Sequence, residues 1–322
     1  MLPMARLLIA VTALAGSVAV AAADDYPART VKIIVPFGAG GPADLYARFL
    51  GQQLQETLKQ AFVIEDRPGA GSVIGTGEVA KAAPDGYTLL MMSNTHTTNE
   101  TLLPNKPFQL MRDFVPVAPV NASDLIMVVH PSVPARDLGE FIALLKAKPG
   151  DLNYASSGPG TPYHMAGELF KAMSGTNIVH VAHRGSGDAR TAVMGGHVQM
   201  MIDAITTTAP TVQSGQVRAL GTTGRTRSTV LPDVPTIAEA GLPGYEATIW
   251  LGIMAPAGTP VPIIDKLNGE INKVLKRPET REAWSKQGAE PLVMTPAEFD
   301  RYLRGDIEKW AKVIHAAGIK VQ

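Results

Sequence analysis

Two glycine-rich turns carry the residues of this sequence best suited to hold a small anion. Residues 36–44 read Pro-Phe-Gly-Ala-Gly-Gly-Pro-Ala-Asp, and residues 154–164 read Tyr-Ala-Ser-Ser-Gly-Pro-Gly-Thr-Pro-Tyr-His. Each turn follows an extended run and contains a proline suited to the first position of a helix. Such a turn directs unpaired backbone N–H groups and the positive end of a helix dipole at one place. Two of them in one chain predict two half-sites that close on a small carboxylate.

The predicted ligand-binding residues come from these two turns and from two places beyond them. They are Phe37, Gly38, Ala39, Gly40, Gly41, Asn94, Ser156, Ser157, Gly158, Gly160, Thr161, His164 and Asp203. Phe37 is expected either to form an apolar wall or to pack in the core. Arg184 is a further candidate for attracting an anion, although such arginines usually face solvent.

His164 and Asp203 each have more than one interpretation. His164 falls in the first turn of a predicted helix, where it either donates a hydrogen bond to a ligand or satisfies loop carbonyl groups. Asp203 ends an apolar strand and either receives a ligand amine, orders water or caps the threonine-rich segment that follows.

Enzymatic interpretations have weaker support. Gly38-x-Gly40-x-x-Ala43, with Glu65 and Asp66 near the end of the next strand, matches a weak dinucleotide-binding fingerprint. Pro36 interrupts the strand before these glycines, and no lysine follows them, which excludes a phosphate-binding P-loop. The alternative is a purely structural role, in which the glycines only permit tight packing of a strand on a helix. The sequence shows no convincing nucleophile–base pair, although a Ser-His-Asp assembly could still be built from distant residues, as in most chains.

The composition limits the kinds of partner. The chain has no cysteine and no His-x-x-x-His pair, so neither a metal site nor a cofactor is predicted. Its 29 basic and 29 acidic residues balance, and no basic block occurs, which argues against nucleic acid as a partner. A monomer held together by its core, without disulfides, is expected.

The N-terminal residues 1–23 have the pattern of a cleaved export signal. Arg6 precedes the apolar residues 7–20, and three alanines at 21–23 supply a cleavage site. An anchor helix is the alternative, but the apolar run is short for a membrane span. The pattern predicts a soluble protein of the Gram-negative periplasm.

Alternating strands and helices predict an α/β fold with two lobes. The β-α-β-α-β order of residues 31–92 indicates a parallel sheet with ligand contacts beyond its carboxyl ends, and a similar pattern begins again at residue 125. Hinge crossings are expected near residues 121–123 and 220–223. The predicted division is residues 24–121 with 224–262 as lobe 1, residues 122–223 as lobe 2, and residues 263–322 as C-terminal helices packing on the lobes.

These motifs, taken in order, resemble the Bordetella uptake gene (Bug) family, the periplasmic solute receptors of tripartite tricarboxylate transporters. The resemblance covers essentially all of the chain after residue 23. The matching segments are residues 36–44, 67–71, 84–88, 154–161 with His164, 232–236 and 250–260. It implies a two-lobed periplasmic binding protein of the Venus-flytrap, type II-like kind, with a hinge between the lobes. In such a fold the loops after Val35 and Ala155 grip a ligand carboxylate, partly through ordered water.

The resemblance also implies a function. A receptor of this family binds a small carboxylate, such as a di- or tricarboxylate, an amino acid or an aromatic acid, and delivers it to membrane subunits. The alternatives are an enzyme of the same fold acting on a carboxylate, and a ligand-sensing component of a signalling system. Two departures from the family pattern bear on the ligand: Ala-His-Arg stands at 182–184 where Pro-Tyr-Lys is common, and Asp66 replaces an asparagine.

Overall fold

The computed structural model describes residues 25–319, so the predicted export signal lies outside the described residues. Within this range the strands are β1 (Val31–Val35), β2 (Phe62–Asp66), β3 (Thr88–Ser93), β4 (Phe114–Val129), β5 (Asn153–Ser156), β6 (Val179–Ala182), β7 (Met200–Ala204), β8 (Arg218–Thr222), β9 (Thr248–Pro256) and β10 (Ala289–Pro291). The helices are α1 (Pro42–Leu58), α2 (Val73–Ala80), α3 (Asn94–Leu102), α4 (Leu110–Asp113), α5 (Leu138–Ala147), α6 (Pro162–Ser174), α7 (Ser186–Met194), α8 (Ile205–Gln213), α9 (Val261–Lys276), α10 (Pro278–Ser285) and α11 (Pro296–Ala317). The predicted α/β class is confirmed.

The first lobe is built on a half-sheet with the strand order β2-β1-β3-β9-β4. Strands β2, β1 and β3 run parallel, as predicted, whereas β9 is antiparallel to both of its neighbours. β1 is apolar and buried along most of its length because helices cover both faces of this half-sheet. Tyr46, Leu50 and Leu54 of α1 pack against it at helical spacing. The carboxyl end of β1 therefore meets the start of α1 at a fixed place.

The second lobe has the order β4-β7-β5-β6, with β8 also paired to β4. The long strand β4 belongs to both lobes. Its residues up to Asp124 pair with β9, and its residues from Leu125 onward pair with β7. The chain thus crosses between the lobes at residues 124–125.

The second crossing differs from the prediction. Residues 224–247 were expected in lobe 1, but their apolar side chains pack in the core of the second lobe; these are Ile237, Leu242, Tyr245 and Ala247. The Tyr245 hydroxyl also donates to the carbonyl of Ala166, at 2.7 Å. The chain returns to the first lobe only at residues 247–248, where Thr248 pairs with Asp124.

The C-terminal helices do not all belong to one lobe. α9 and α10 pack in the core of the first lobe, through residues such as Leu267 and Trp284. α11 begins against the first lobe through Phe299 and ends against Met165 of α6 in the second lobe, through Trp310. None of the helices within residues 25–319 combines the length and apolar character of a membrane span.

Candidate functional site

The first glycine turn joins β1 to α1. Gly41 takes the N-cap position of α1, so no side chain caps the first helical N–H groups. Gly40 has a φ of +74°, which glycine adopts without strain, and its N–H donates to Oδ2 of Asp44 at 2.9 Å. Asp44 is buried, and Nε of Arg48 lies 2.6 Å from its Oδ1, which offsets its negative charge. These two contacts fix the conformation of the turn.

The second turn joins β5 to α6 and is held by its own side chains. Thr161 is the N-cap of α6, and its hydroxyl donates to the carbonyl of Gly158 at 2.7 Å. The Ser156 hydroxyl accepts from the N–H of Gly158 at 3.1 Å. Gly158 and Gly160 have φ values of +121° and +72°. This turn needs glycine at both positions because other residues rarely adopt such backbone angles.

His164 supports the second turn. Its Nδ1 accepts from the N–H of Gly160 at 3.1 Å, and its ring stacks on His180 at 4.2 Å between centroids. Burial lowers the pKa of His164 and so keeps it neutral. It does not line the cleft, so the structure favours a loop-supporting role over a direct hydrogen bond to a ligand. The group it satisfies is an amide rather than a carbonyl.

Ser156 and His180 form a Ser–His pair beside the second turn, the combination that acyl-transfer enzymes use as nucleophile and base. The Ser156 Oγ lies 2.6 Å from Nε2 of His180. Ser156 has no exposed surface, and burial lowers the pKa of His180 to about 3. The adjacent carboxylate, Glu168, is already paired with Tyr154 and Lys171. A nucleophile must reach its substrate, and the buried Ser156 cannot. The pair therefore stabilises the second turn instead.

The two lobes touch backbone to backbone beside these turns. A Cβ on Gly185, in the loop between β6 and α7, would lie 2.9 Å from the Cα of Gly38. A Cβ on Gly38 would in turn lie 3.1 Å from the carbonyl oxygen of Arg184. The cleft is therefore closed, and only glycine fits at this contact.

A small inner cavity of about 20 Å³ lies between the closed lobes. Both glycine turns line it, through Gly38 and Gly41 on one lobe and Ser157 and Pro162 on the other. Its other walls combine hydroxyl groups with apolar side chains; they include Ser93, Thr95, Tyr163, Ser186, Ile249 and Leu251. An outer chamber shares Phe37 and Ser157 with it and reaches the exposed side chain of Arg184. Apolar walls with a few polar groups are the lining expected of a small-molecule site.

The predicted residues divide into two groups in the structure. Those that line the inner cavity or the outer chamber are Phe37, Gly38, Gly41, Ser157, Gly158 and Thr161. Those that do not are Ala39, Gly40, Asn94, Ser156, Gly160, His164 and Asp203. Several of the second group still shape the turns, as the hydrogen bonds of Gly40, Ser156 and His164 show.

The structure contradicts the expectation that Asp203 offers a free carboxylate to a ligand amine. Asp203 is fully buried, and its Oδ2 accepts from Arg190 and Thr208 at 2.8 and 2.6 Å. Its Oδ1 accepts from the N–H of Ala204. Of the interpretations of Asp203, the one that links it to the following threonine-rich segment agrees best with the structure, because Thr208 lies in that segment, in α8. The pairing with Arg190 was not predicted.

The prediction also missed the polar helix α3. Its side chains Asn94, Thr95, His96, Thr97, Thr98 and Asn99 are all buried. Ser93 caps this helix, and the ring of His96 closes the capping box by accepting from the N–H of Ser93. His96 Nε2 lies 2.9 Å from the Thr76 hydroxyl, and the ring packs edge-on against Phe37. The Ser-x-x-His spacing was a weak capping signal, since Glu or Gln is usual at the last position.

Replacing His96 should reduce the acid sensitivity of folding. Burial lowers the pKa of His96 to about 4, below its unfolded value of 6.5. The neutral ring therefore contributes stability above pH 6.5, and this contribution is lost as the pH falls from 6.5 toward 4. We expect His96 alone to lower the free energy of unfolding by about 1.4 kcal/mol per pH unit in that window.

Urea unfolding of the protein and of His96→Gln between pH 7.5 and 4.5 measures this slope. The variant should show the shallower dependence, whereas His315→Gln, at an exposed position on α11, should match the parent. Equal slopes for the parent and His96→Gln would contradict the assignment of a buried neutral ring.

Comparison with known proteins finds relatives along nearly the whole chain. A family model described as "Tripartite tricarboxylate transporter family receptor" matches residues 46–319. Protein BugT of Bordetella pertussis is 39% identical over 312 residues, which is 96% of each chain.

Solved structures match the fold closely. The Rhodopseudomonas palustris protein Rpa4515, solved with adipate, is 34% identical with a TM-score of 0.89, over 92% of this chain and 99% of that one. MatC of the same organism, with bound malate, is 34% identical with a TM-score of 0.85, over 90% and 100%. The periplasmic binding protein BugD is 33% identical with a TM-score of 0.88, over 92% and 100%.

Proposed function

This chain belongs to the tripartite tricarboxylate transporter receptor family, and on that premise we propose that it captures a small carboxylate between its lobes and delivers it to the membrane subunits of such a transporter. The observation that carries the proposal is the closed inner cavity, to which each lobe contributes one glycine turn and one helix N-terminus. The structures of Rpa4515 with adipate and MatC with malate support the ligand class.

The cavity suits an anion without using a cation. Among the described residues that line the inner cavity, none is Lys or Arg. The charge of a carboxylate would be met by the first-turn amides of α1 and α6, whose dipoles are positive at that end. Hydroxyl groups of Ser157 and Ser186 stand nearby as further donors. Because the two turns lie on different lobes, the same carboxylate would hold the cleft closed.

Binding rather than catalysis is supported by the relatives, which are solute receptors, and by the inaccessible Ser156–His180 pair. The periplasmic location is supported by the predicted export signal and by the relation to the periplasmic protein BugD. Delivery to membrane subunits follows from the family description. No feature of the cleft favours a sensing role over transport.

A carboxylate panel tests this function. The protein from residue 24 onward is titrated with malate and adipate, and with the matching diamides, by calorimetry and thermal unfolding. We expect at least one carboxylate to bind saturably, and at a hundred times its dissociation constant to stabilise the fold by about 2.7 kcal/mol. The diamides should not bind. Failure of every carboxylate, or equal binding of a diamide, would overturn the proposal.

A further inference from the structure

The hydroxyl of Thr98 makes a hydrogen bond that crosses from one lobe to the other. Thr98 lies in α3, which follows β3 of the first lobe, and its Oγ1 donates to the carbonyl of Gly160 in the second glycine turn at 2.7 Å. The Thr98 side chain is buried, with 1% of the residue exposed. The N–H of Gly160 donates to His164 of its own lobe. Gly160 is therefore held from both lobes, by His164 through its amide and by Thr98 through its carbonyl.

The same hydroxyl has a second acceptor in its own helix. Thr98 Oγ1 also lies 2.9 Å from the carbonyl oxygen of Thr95, three residues earlier in α3. A threonine hydroxyl carries one hydrogen, so the two carbonyl groups compete for it. When the lobes separate, the hydrogen can return to Thr95, and water can reach the carbonyl of Gly160. Opening therefore leaves neither group unpaired, and the bond between the lobes can break and form again at low cost.

The neighbouring side chain of Asn99 opposes closure at the same place. Its Nδ2 donates to the carbonyl of Gly71 at 2.8 Å, within the first lobe, which fixes the orientation of the amide. Its Oδ1 is buried without a hydrogen-bond partner among the described residues, and it lies so close to Gly160 that a Cβ on that glycine would overlap it. A buried acceptor without a partner costs free energy, and opening would let water reach it. In the closed protein the bond from Thr98 offsets this cost.

Thr98 lies between the inner cavity and an apolar contact of the two lobes. Thr95, on the same face of α3, lines the cavity. Leu102, one turn further along that face, packs with Met165 of the second lobe and with Trp310. The bond from Thr98 is therefore nearer the cleft than this apolar contact is, at a place where the lobes separate when the cleft opens.

We infer that Thr98 is a positioning residue that slows ligand release: its hydroxyl binds the Gly160 carbonyl in the closed protein and returns to that of Thr95 in the open one. The inference rests on the proposed function, since a carboxylate must first close the lobes over the glycine turns. A bond that forms only in the closed conformation slows dissociation, because the ligand first meets the open protein. Thr98 lines neither the inner cavity nor the outer chamber, so its effect should not depend on the length of the carboxylate.

Thr98→Val tests this role, because it removes the hydroxyl and keeps the shape of the side chain. Calorimetry with adipate and malate gives the dissociation constants, and stopped-flow fluorescence gives the association and dissociation rates. We expect the variant to release whichever of these ligands binds the parent about 3- to 10-fold faster, the usual contribution of one hydrogen bond, with an unchanged association rate. Thr98→Ser keeps the hydroxyl and should restore slow release.

Thr211→Val is the matched control. It also removes a hydroxyl that donates to a carbonyl three residues earlier, that of Thr208 at 2.7 Å, but within α8 of the second lobe. It should release the ligand as the parent does, and urea unfolding without ligand should change little in either valine variant.

A merely structural role of Thr98 would lower the free energy of unfolding and leave the release rate unchanged. Unchanged release from Thr98→Val would overturn the inference and leave the proposed function standing. Absence of carboxylate binding to the parent would overturn both.

Discussion

Gly185→Ala is expected to weaken carboxylate binding by about 5- to 150-fold, which corresponds to the 1–3 kcal/mol that overpacking usually costs. The new Cβ would lie 2.9 Å from the Cα of Gly38, and a backbone atom cannot move aside as a side chain can. Gly185 has φ −171° and ψ 168°, an extended conformation that alanine adopts freely. The clash therefore exists only when the lobes meet. The closed conformation should lose stability, whereas each lobe should keep its folding stability.

Calorimetric titration with a carboxylate measures the effect on ligand binding. Urea unfolding without the carboxylate measures the effect on folding stability. Gly269→Ala is the matched control, because that glycine lies in α9 and a Cβ there meets nothing within 4 Å. It should bind as the parent does. An unchanged dissociation constant for Gly185→Ala would show that ligand binding does not require the contact between Gly38 and Gly185.

Arg190→Met is expected to lower the free energy of unfolding by about 3–5 kcal/mol, the usual cost of removing one partner of a buried ion pair. The Asp203 side chain is fully buried, and that of Arg190 is only 13% exposed. Arg190 also donates to Thr207 and Thr208 of α8, so it ties α7, β7 and α8 together. Without it, the carboxylate of Asp203 would keep Thr208 and one backbone N–H as its donors.

Urea unfolding at neutral pH measures this loss. Arg190→Met combined with Asp203→Asn should be less destabilised than Arg190→Met alone, because the double change removes the buried charge. Arg304→Met breaks an exposed pair with Asp300 and should cost less than about 1 kcal/mol. If Arg190→Met were no more destabilising than Arg304→Met, the ion pair with Asp203 would not be a structural one.

The elements beside the glycine turns were predictable because local patterns specify them. β1 is a short apolar run ended by proline, and the second turn leads into a helix with Pro162 at its first position. Helices α5 and α11 also carry local signals. Both helices have an apolar stripe and an N-cap, Asp137 and Thr295, whose side chain accepts a first-turn N–H.

Helix α3 escaped prediction because its polar side chains give no apolar period. Its support comes from elements distant in sequence: the Thr98 hydroxyl donates to the carbonyl of Gly160 at 2.7 Å, and Asn99 donates to that of Gly71 at 2.8 Å. The first half of β4 was hidden by Pro116 and Pro119. The structure accommodates these prolines by shifting the β4–β9 register next to each of them.

The candidate site was predictable only in its backbone part. Glycine spacing identified both turns, because the backbone conformation that these turns need favours glycine. The ion-pair partner of Asp203 was not predictable from the sequence. Arg190 lies thirteen residues earlier in another element, and no local pattern links the two residues.

Helix α11 limits how the lobes can move relative to one another. Its first half is fixed to the first lobe through Phe299, while Trp310 near its end packs with Met165 of α6. The lobes are therefore joined by two extended strand crossings and by helix α11. If one lobe slid along the other, Trp310 would lose its contact with Met165. A rotation about an axis near Trp310 would preserve that contact. Because Pro162 and Tyr163 of the same helix α6 line the cavity, the part of the cavity wall formed by the start of α6 would move least in such a rotation.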